Sequence, residues 1–132
     1  MIAQYWDETE DVLAKEIVSD WPAFLELVRR TETGSSGRGI PAIELSDDED
    51  VTCIFIRFEG GGCTVATGDS KGLAWPVEFN DDSCEYVHYD YFGSWSEVPA
   101  DLVIPREKAL AAVKSFLETG DIPPSVLLLV RE

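Results

Sequence analysis

An α+β fold is predicted, a largely antiparallel sheet of about five to seven strands with two main helices. Three observations carry it. Strand-like apolar runs cluster between two helical patterns instead of alternating with them. The run Val51 to Glu59 is apolar on both faces through its middle, which marks a central strand covered on each side. The stretch from Pro105 to Gly120 carries helix punctuation at both ends. With 132 residues, the whole chain, 1–132, reads as one domain. Four Trp, four Tyr and six Phe supply a core without metals or disulfides.

The elements follow in order. Asp7, Glu8, Glu10 and Asp11 form an acidic loop between two short apolar pieces, and Val12 to Val18 leans towards strand rather than helix. Ser19-Asp20 supplies an N-cap with Pro22 in the first turn behind it. Trp21, Phe24, Leu25 and Val28 then repeat at helical spacing, and Gly34-Ser35-Ser36-Gly37-Arg38-Gly39 ends that helix by Thr33. Ala42 to Leu45 is a short strand, followed by the acidic turn Asp47-Asp48-Glu49-Asp50. In the central strand Ile54, Ile56 and Phe58 share one face, and Val51, Cys53 and Phe55 the other. Gly60-Gly61-Gly62 turns the chain into Cys63 to Thr67. Leu73 to Phe79, interrupted by Pro76, reads as an edge strand. Cys84 to Tyr91 alternates as a strand, and Phe92 to Pro99 reads as a turn. The second helix buries Ala109, Leu110, Val113, Phe116 and Leu117, and Ser125 to Val130 closes the chain as a strand.

Charge bounds the function. Against 10 basic residues stand 26 acidic ones, a net charge of -16. Phosphates would be repelled, which argues against nucleic acid or an anionic membrane as a direct partner. A basic protein partner and a merely solvated acidic surface both remain open. Three cysteines without a C-x-x-C pair suit reduced thiols in a cytoplasm. No secretory signal is read at Met1 to Asp7, and the apolar run Ile122 to Val130 is too short to span a bilayer.

Chemistry is hard to find. His88 is the single histidine; it shares a strand face with Cys84 at four residues' remove, about 13 Å, too far for proton transfer. One histidine and scattered cysteines make no zinc pattern. From Asp47, the sixth and twelfth positions of a calcium loop hold Thr52 and Phe58, where glycine and glutamate are required. Gly60-Gly61-Gly62 lacks the Lys-Ser/Thr of a phosphate cradle. Neither an enzyme nor a cofactor or metal site is expected. Trp21 reads as core and Trp95 as a loop pin, while Trp6 and Trp75 are candidates for interface anchors.

The order Phe92-Gly93-Ser94-Trp95-Ser96-Glu97-Val98-Pro99, then Pro105, then Phe116-Leu117-x-x-Gly120-x-x-Pro123, resembles family one of the immunity proteins of bacterial polymorphic toxin systems. The resemblance covers mainly Tyr89 to Pro124 and carries over Trp95, Glu97, Pro99 and Gly120 as structural positions. One departure is the lack of a tryptophan within Ser125 to Glu132. The resemblance implies a protein that neutralises a cognate toxin domain by binding it. Toxins paired with this family are often nucleic-acid cytosine deaminases, whose polyanionic substrate calls for a basic groove. On charge density the expected toxin contacts are Asp47, Asp48, Glu49, Asp50, Asp81, Asp82, Glu85, Tyr89 and Asp90. Two other readings stay open: an acidic DNA-mimic or adaptor that binds a host nucleic-acid enzyme, and a small enzyme using Cys84 or His88.

Overall fold

The computed structural model describes residues 1–7, 10–33, 40–47, 50–58, 61–76, 86–92 and 94–131, with backbone alone at Asp90, Trp95, Asp101 and Arg131. Strand β4 (Thr52–Arg57) lies at its centre, and every residue after Thr52 is buried. On one side it pairs with β3 (Ile43–Ser46), beyond which lie β1 (Ile2–Asp7) and the edge strand β2 (Val12–Ile17). On the other side come β5 (Cys63–Asp69), β6 (Gly72–Pro76) and the second edge, β9 (Leu129–Arg131). All six pairings are antiparallel. With helices α1 (Trp21–Thr33) and α2 (Arg106–Thr119), the described residues form the expected α+β fold.

The two-faced apolar pattern of β4 generates a three-layer arrangement. Cys53 and Phe55 face the helices, where Phe24, Leu27 and Val28 of α1 meet Ala109, Ala112, Val113 and Phe116 of α2. Phe24 meets Phe55 edge-on, with ring centroids 5.8 Å apart. Ile54 and Ile56 face the other way, into a second cluster with Phe58, Ala66 and Val98. That cluster is covered by a separate hairpin of β7 (Tyr86–Tyr91) and β8 (Ser94–Pro99), followed by a 3-10 turn at Ala100–Leu102.

Local chemistry sets the element ends. The Asp20 carboxylate accepts from the Ala23 N–H at 2.9 Å, capping α1. Gly120 ends α2 at φ +80°, a left-handed conformation that costs glycine nothing, and its N–H bonds the Phe116 carbonyl.

Four sequence expectations need correction. Leu25 is exposed; the buried stripe of α1 is Phe24, Leu27, Val28 and Thr31, spaced 0, 3, 4 and 7, and Leu25 lies about 100° round the helix from Phe24. The strand holding Pro76 is not an edge: Pro76 is its last residue, opposite Leu129, where the missing N–H interrupts no further ladder. Phe92 to Pro99 is mostly strand, because the reversal centres on Phe92 at φ +50° and Ser94–Pro99 then pairs with β7. Only Leu129–Arg131 of the last apolar run is strand, since Val126 and Leu127 both donate to the Pro123 carbonyl in a turn.

Among the described residues one charged side chain sits inside this core. Arg57 is 2% exposed and donates to the Val28 carbonyl (3.0 Å), the Thr31 hydroxyl (2.7 Å) and the Pro41 carbonyl (2.8 Å). Glu32 lies 3.7 Å from it and also pairs with Arg106 at the start of α2. Burial draws the Arg57 guanidinium down to about 10, so it stays charged at neutral pH. Replacing Arg57 by Ala leaves three buried oxygens without their donor and should destabilise the protein by about 3–5 kcal/mol. Urea denaturation measures this; a change under about 1 kcal/mol would remove Arg57 from its structural role.

The thiols of Cys53 and Cys63 are buried, and burial pushes both above the ordinary value of 9.0. The unfolded chain therefore loses these protons first as pH rises. Their contribution to stability is complete below about pH 8 and declines as the solution passes the unfolded thiol value. Cys53→Ala should flatten the fall of the urea midpoint between about pH 8 and pH 10. Parallel curves for the two proteins would assign the alkaline loss to other groups.

Candidate functional site

The antiparallel register brings distant acidic segments to one end of the sheet. Ser46 lies opposite Thr52, and Thr52 opposite Gly68, so the turn entering β4 and the turn leaving β5 project from the same end. The C-terminal end of α2 arrives there too. Between these segments lies a cleft of about 180 Å³ lined by Val51, Thr67, Gly68, Asp69, Phe116, Gly120 and Asp121.

Each acid is placed by its turn. The backbone N–H of Asp47 bonds the Val51 carbonyl at 3.2 Å, while its carboxylate accepts the Val51 N–H at 3.2 Å. This closure sets Asp50 at φ +67°, a conformation that Asp tolerates better than most residues, with its side chain exposed. Asp69 accepts from the Lys71 N–H at 2.8 Å, fixing the β5–β6 turn. The Asp121 carbonyl accepts from the hydroxyls of Ser115 (3.0 Å) and Thr119 (3.1 Å). No basic residue occupies the last turn of α2, so the negative end of its dipole adds to the carboxylates. The arrangement presents anionic groups around a shallow cleft, a surface suited to a cationic side chain.

The residues expected to bind are divided between two places. Asp47 and Asp50 belong to this acidic end. Tyr89 belongs to the hairpin layer, its ring edge-on to Phe58 at 6.2 Å and to Tyr91 at 6.3 Å. Its burial pushes the phenol above its ordinary value. Asp50 and Phe58 are eight residues apart through β4, about 26 Å, so Tyr89 and the acidic turn do not form one patch. Asp90 lies in β7, where its backbone pairs opposite Trp95. Asp48, Glu49, Asp81, Asp82 and Glu85 lie outside the described residues.

The chemistry-bearing residues have other surroundings. His88 faces Glu97 across the hairpin at 3.2 Å, both substantially exposed, and Cys84 lies outside the described residues. Among the described residues no three His, Cys, Asp or Glu side chains gather as a metal would require. Trp75 packs into the hairpin-side cluster, and Trp21 stacks on Phe24 at 5.6 Å. The buried indole N–H of Trp6 has no acceptor. Among the described residues no helix is long and apolar enough to cross a membrane.

Sequence reasoning missed Asp69 and Asp121. Each stands singly in the chain, Asp69 in Gly68-Asp69-Ser70-Lys71-Gly72 and Asp121 just past Gly120. The signal available was their position at element ends, which pairing β4 with β5 would have set beside the Asp47 turn.

Comparison with known proteins bears on the chain as a whole. No curated protein matches it. The family model of immunity protein Imm1 matches residues 6–129, taking in both helices, all of β2 to β8, the last two residues of β1 and the first of β9. On that match the chain belongs to the Imm1 family of immunity proteins.

Proposed function

We propose that this protein neutralises a cognate toxin domain in the cytoplasm by stoichiometric binding, and that the toxin is a basic, nucleic-acid-targeting enzyme such as a deaminase. The observation that carries this reading is the acidic end of the sheet, where Asp69 and Asp121 line a cleft beside the turn that bears Asp47 and Asp50, in a chain of net charge -16. An enzyme acting on nucleic acid needs a cationic groove for its phosphates. Carboxylates held at turns with fixed geometry can occupy such a groove in place of the phosphates. Long-range attraction speeds encounter, which counts when a toxin must be caught before it acts. Inhibition by occupancy requires no catalytic group of the inhibitor.

Co-expression with the toxin domain encoded by the adjacent gene should restore growth, and the purified pair should bind more weakly as salt is raised. Toxicity without rescue or binding would favour an acidic adaptor with another partner. Replacing Asp47, Asp48, Glu49 and Asp50 together by Lys should slow association by about tenfold or more at low salt and flatten its salt dependence. An unchanged on-rate in stopped-flow mixing would place the contact away from this end.

A further inference from the structure

We infer that the outer edge of β2 is a docking strand for an extended, neutral or basic segment of the toxin, anchored on Ile17 and Ile2. This rests on the toxin-binding reading and adds a second, apolar contact to it. The phase of the ladder shows which backbone groups are free to pair. The Val18 N–H bonds the Met1 carbonyl at 2.9 Å, and the β1–β2 register runs from Ile2↔Ile17 to Asp7↔Val12. In an antiparallel pair hydrogen-bonded positions alternate, so Glu16, Ala14 and Val12 turn their backbone groups towards β1. Leu13, Lys15 and Ile17 turn theirs outward. Among the described residues no strand pairs with β2 on that side.

Exposed edges are ordinarily blunted by proline, a bulge, charged side chains (lysine above all), inward charge or extreme shortness. Strand β2 has no proline and no bulge over six residues, its register with β1 is one-for-one, and its inward charge, Glu16, is taken up by Arg30 and the Tyr5 hydroxyl. Lys15 is the single charge among the three outward positions. The side chains are apolar beyond the need of a solvated edge: Ile17 is 77% exposed, Val12 50% and Leu13 42%. Ile2, 45% exposed, is the Cα partner of Ile17 on the same sheet face and widens the patch. The opposite edge, β9, has only three residues.

Charge decides the occupant. A second copy would bring -16 against -16. Edge-to-edge pairing about a two-fold axis sets residues of one face opposite each other. The register that joins Leu13 to Ile17 then stacks Lys15 on Lys15, and the neighbouring one sets Leu13 against Lys15. A segment of a cationic partner meets no such conflict. The edge also continues into the acidic end, because Ile2 pairs with both Ile17 and Ser46, the residue before Asp47. Apolar anchoring and carboxylate contacts thus lie on one continuous surface. Main-chain pairing would supply affinity there, and Ile17 with Ile2 would supply register.

The test uses the purified toxin domain with wild-type protein, Ile17→Glu and Lys15→Pro. The second substitution removes an outward N–H and leaves the β1 ladder intact. Each variant should raise Kd about tenfold or more, mainly through faster dissociation, while Ile17→Glu keeps the wild-type urea midpoint. Amide hydrogen exchange on the wild-type complex should slow at Leu13, Lys15 and Ile17, a readout that does not depend on either variant folding. Wild-type affinity in Ile17→Glu, or unprotected outward amides in the complex, would overturn the docking strand while leaving toxin binding intact. A free protein that is dimeric by light scattering, with Ile17→Glu monomeric, would assign the edge to a second copy and overturn the proposed occupant. Failure of the wild-type protein to bind at all would remove the toxin reading, and the docking strand with it.

Discussion

The architecture depends on a buried cation. Arg57 ends the central strand on its helix side, where an apolar residue would be expected, and its guanidinium reaches the Val28 carbonyl and Thr31 hydroxyl of α1 and the carbonyl of Pro41. Glu32 links it onward to Arg106 at the start of α2. One side chain therefore joins the central strand, the end of the first helix, the segment that follows and the second helix. A charge in such a place is tolerable only when oxygens replace its lost water, and three do so directly. The arrangement ties the helix layer to the sheet through directional contacts at this point.

Once the helices are set on one face, the other face governs what the surface can offer. The hairpin of β7 and β8 covers Ile54, Ile56 and Phe58, and the Tyr91 hydroxyl donates to Glu44 of the sheet at 3.3 Å. Sheet faces are thereby spent on packing. Turns and edges remain at the surface, where Asp47 and Asp50 of the β3–β4 turn and Asp69 of the β5–β6 turn stand at the same end as the close of α2. The high negative charge opposes compaction, and a two-sided core with few polar interruptions offsets that repulsion.

Much of this was legible in the sequence. Asp20 and Gly120 marked helix ends because capping is local chemistry. The alternation of Ile54, Ile56 and Phe58 with Cys53 and Phe55 announced a strand covered twice, since side-chain period alone reports it. Arg57 was not legible: a long cation in a strand reads as surface until Val28, Thr31 and Pro41 are known to converge on it. The hairpin's separation from the main sheet was hidden for a similar reason, because pairing partners are a non-local choice. For the candidate site, the Asp47 turn was visible as a charge run, whereas Asp69 and Asp121 became its neighbours only through register. The packing of Tyr89 on Phe58 was not legible, because exposed and sheet-covering tyrosines carry the same alternation.

The left-handed backbone at Asp50, and the carboxylate of Asp47 that closes its turn onto Val51, have an evolutionary consequence. Asp47 and Val51 bond each other directly, so the base below the loop tip closes without drawing on the core. A lineage can exchange, lengthen or recharge such a tip while Phe55, Phe116 and Arg57 go on folding the protein unchanged. The charge carried at this rim and the ability to fold are thereby uncoupled, and the one can change while the other is kept.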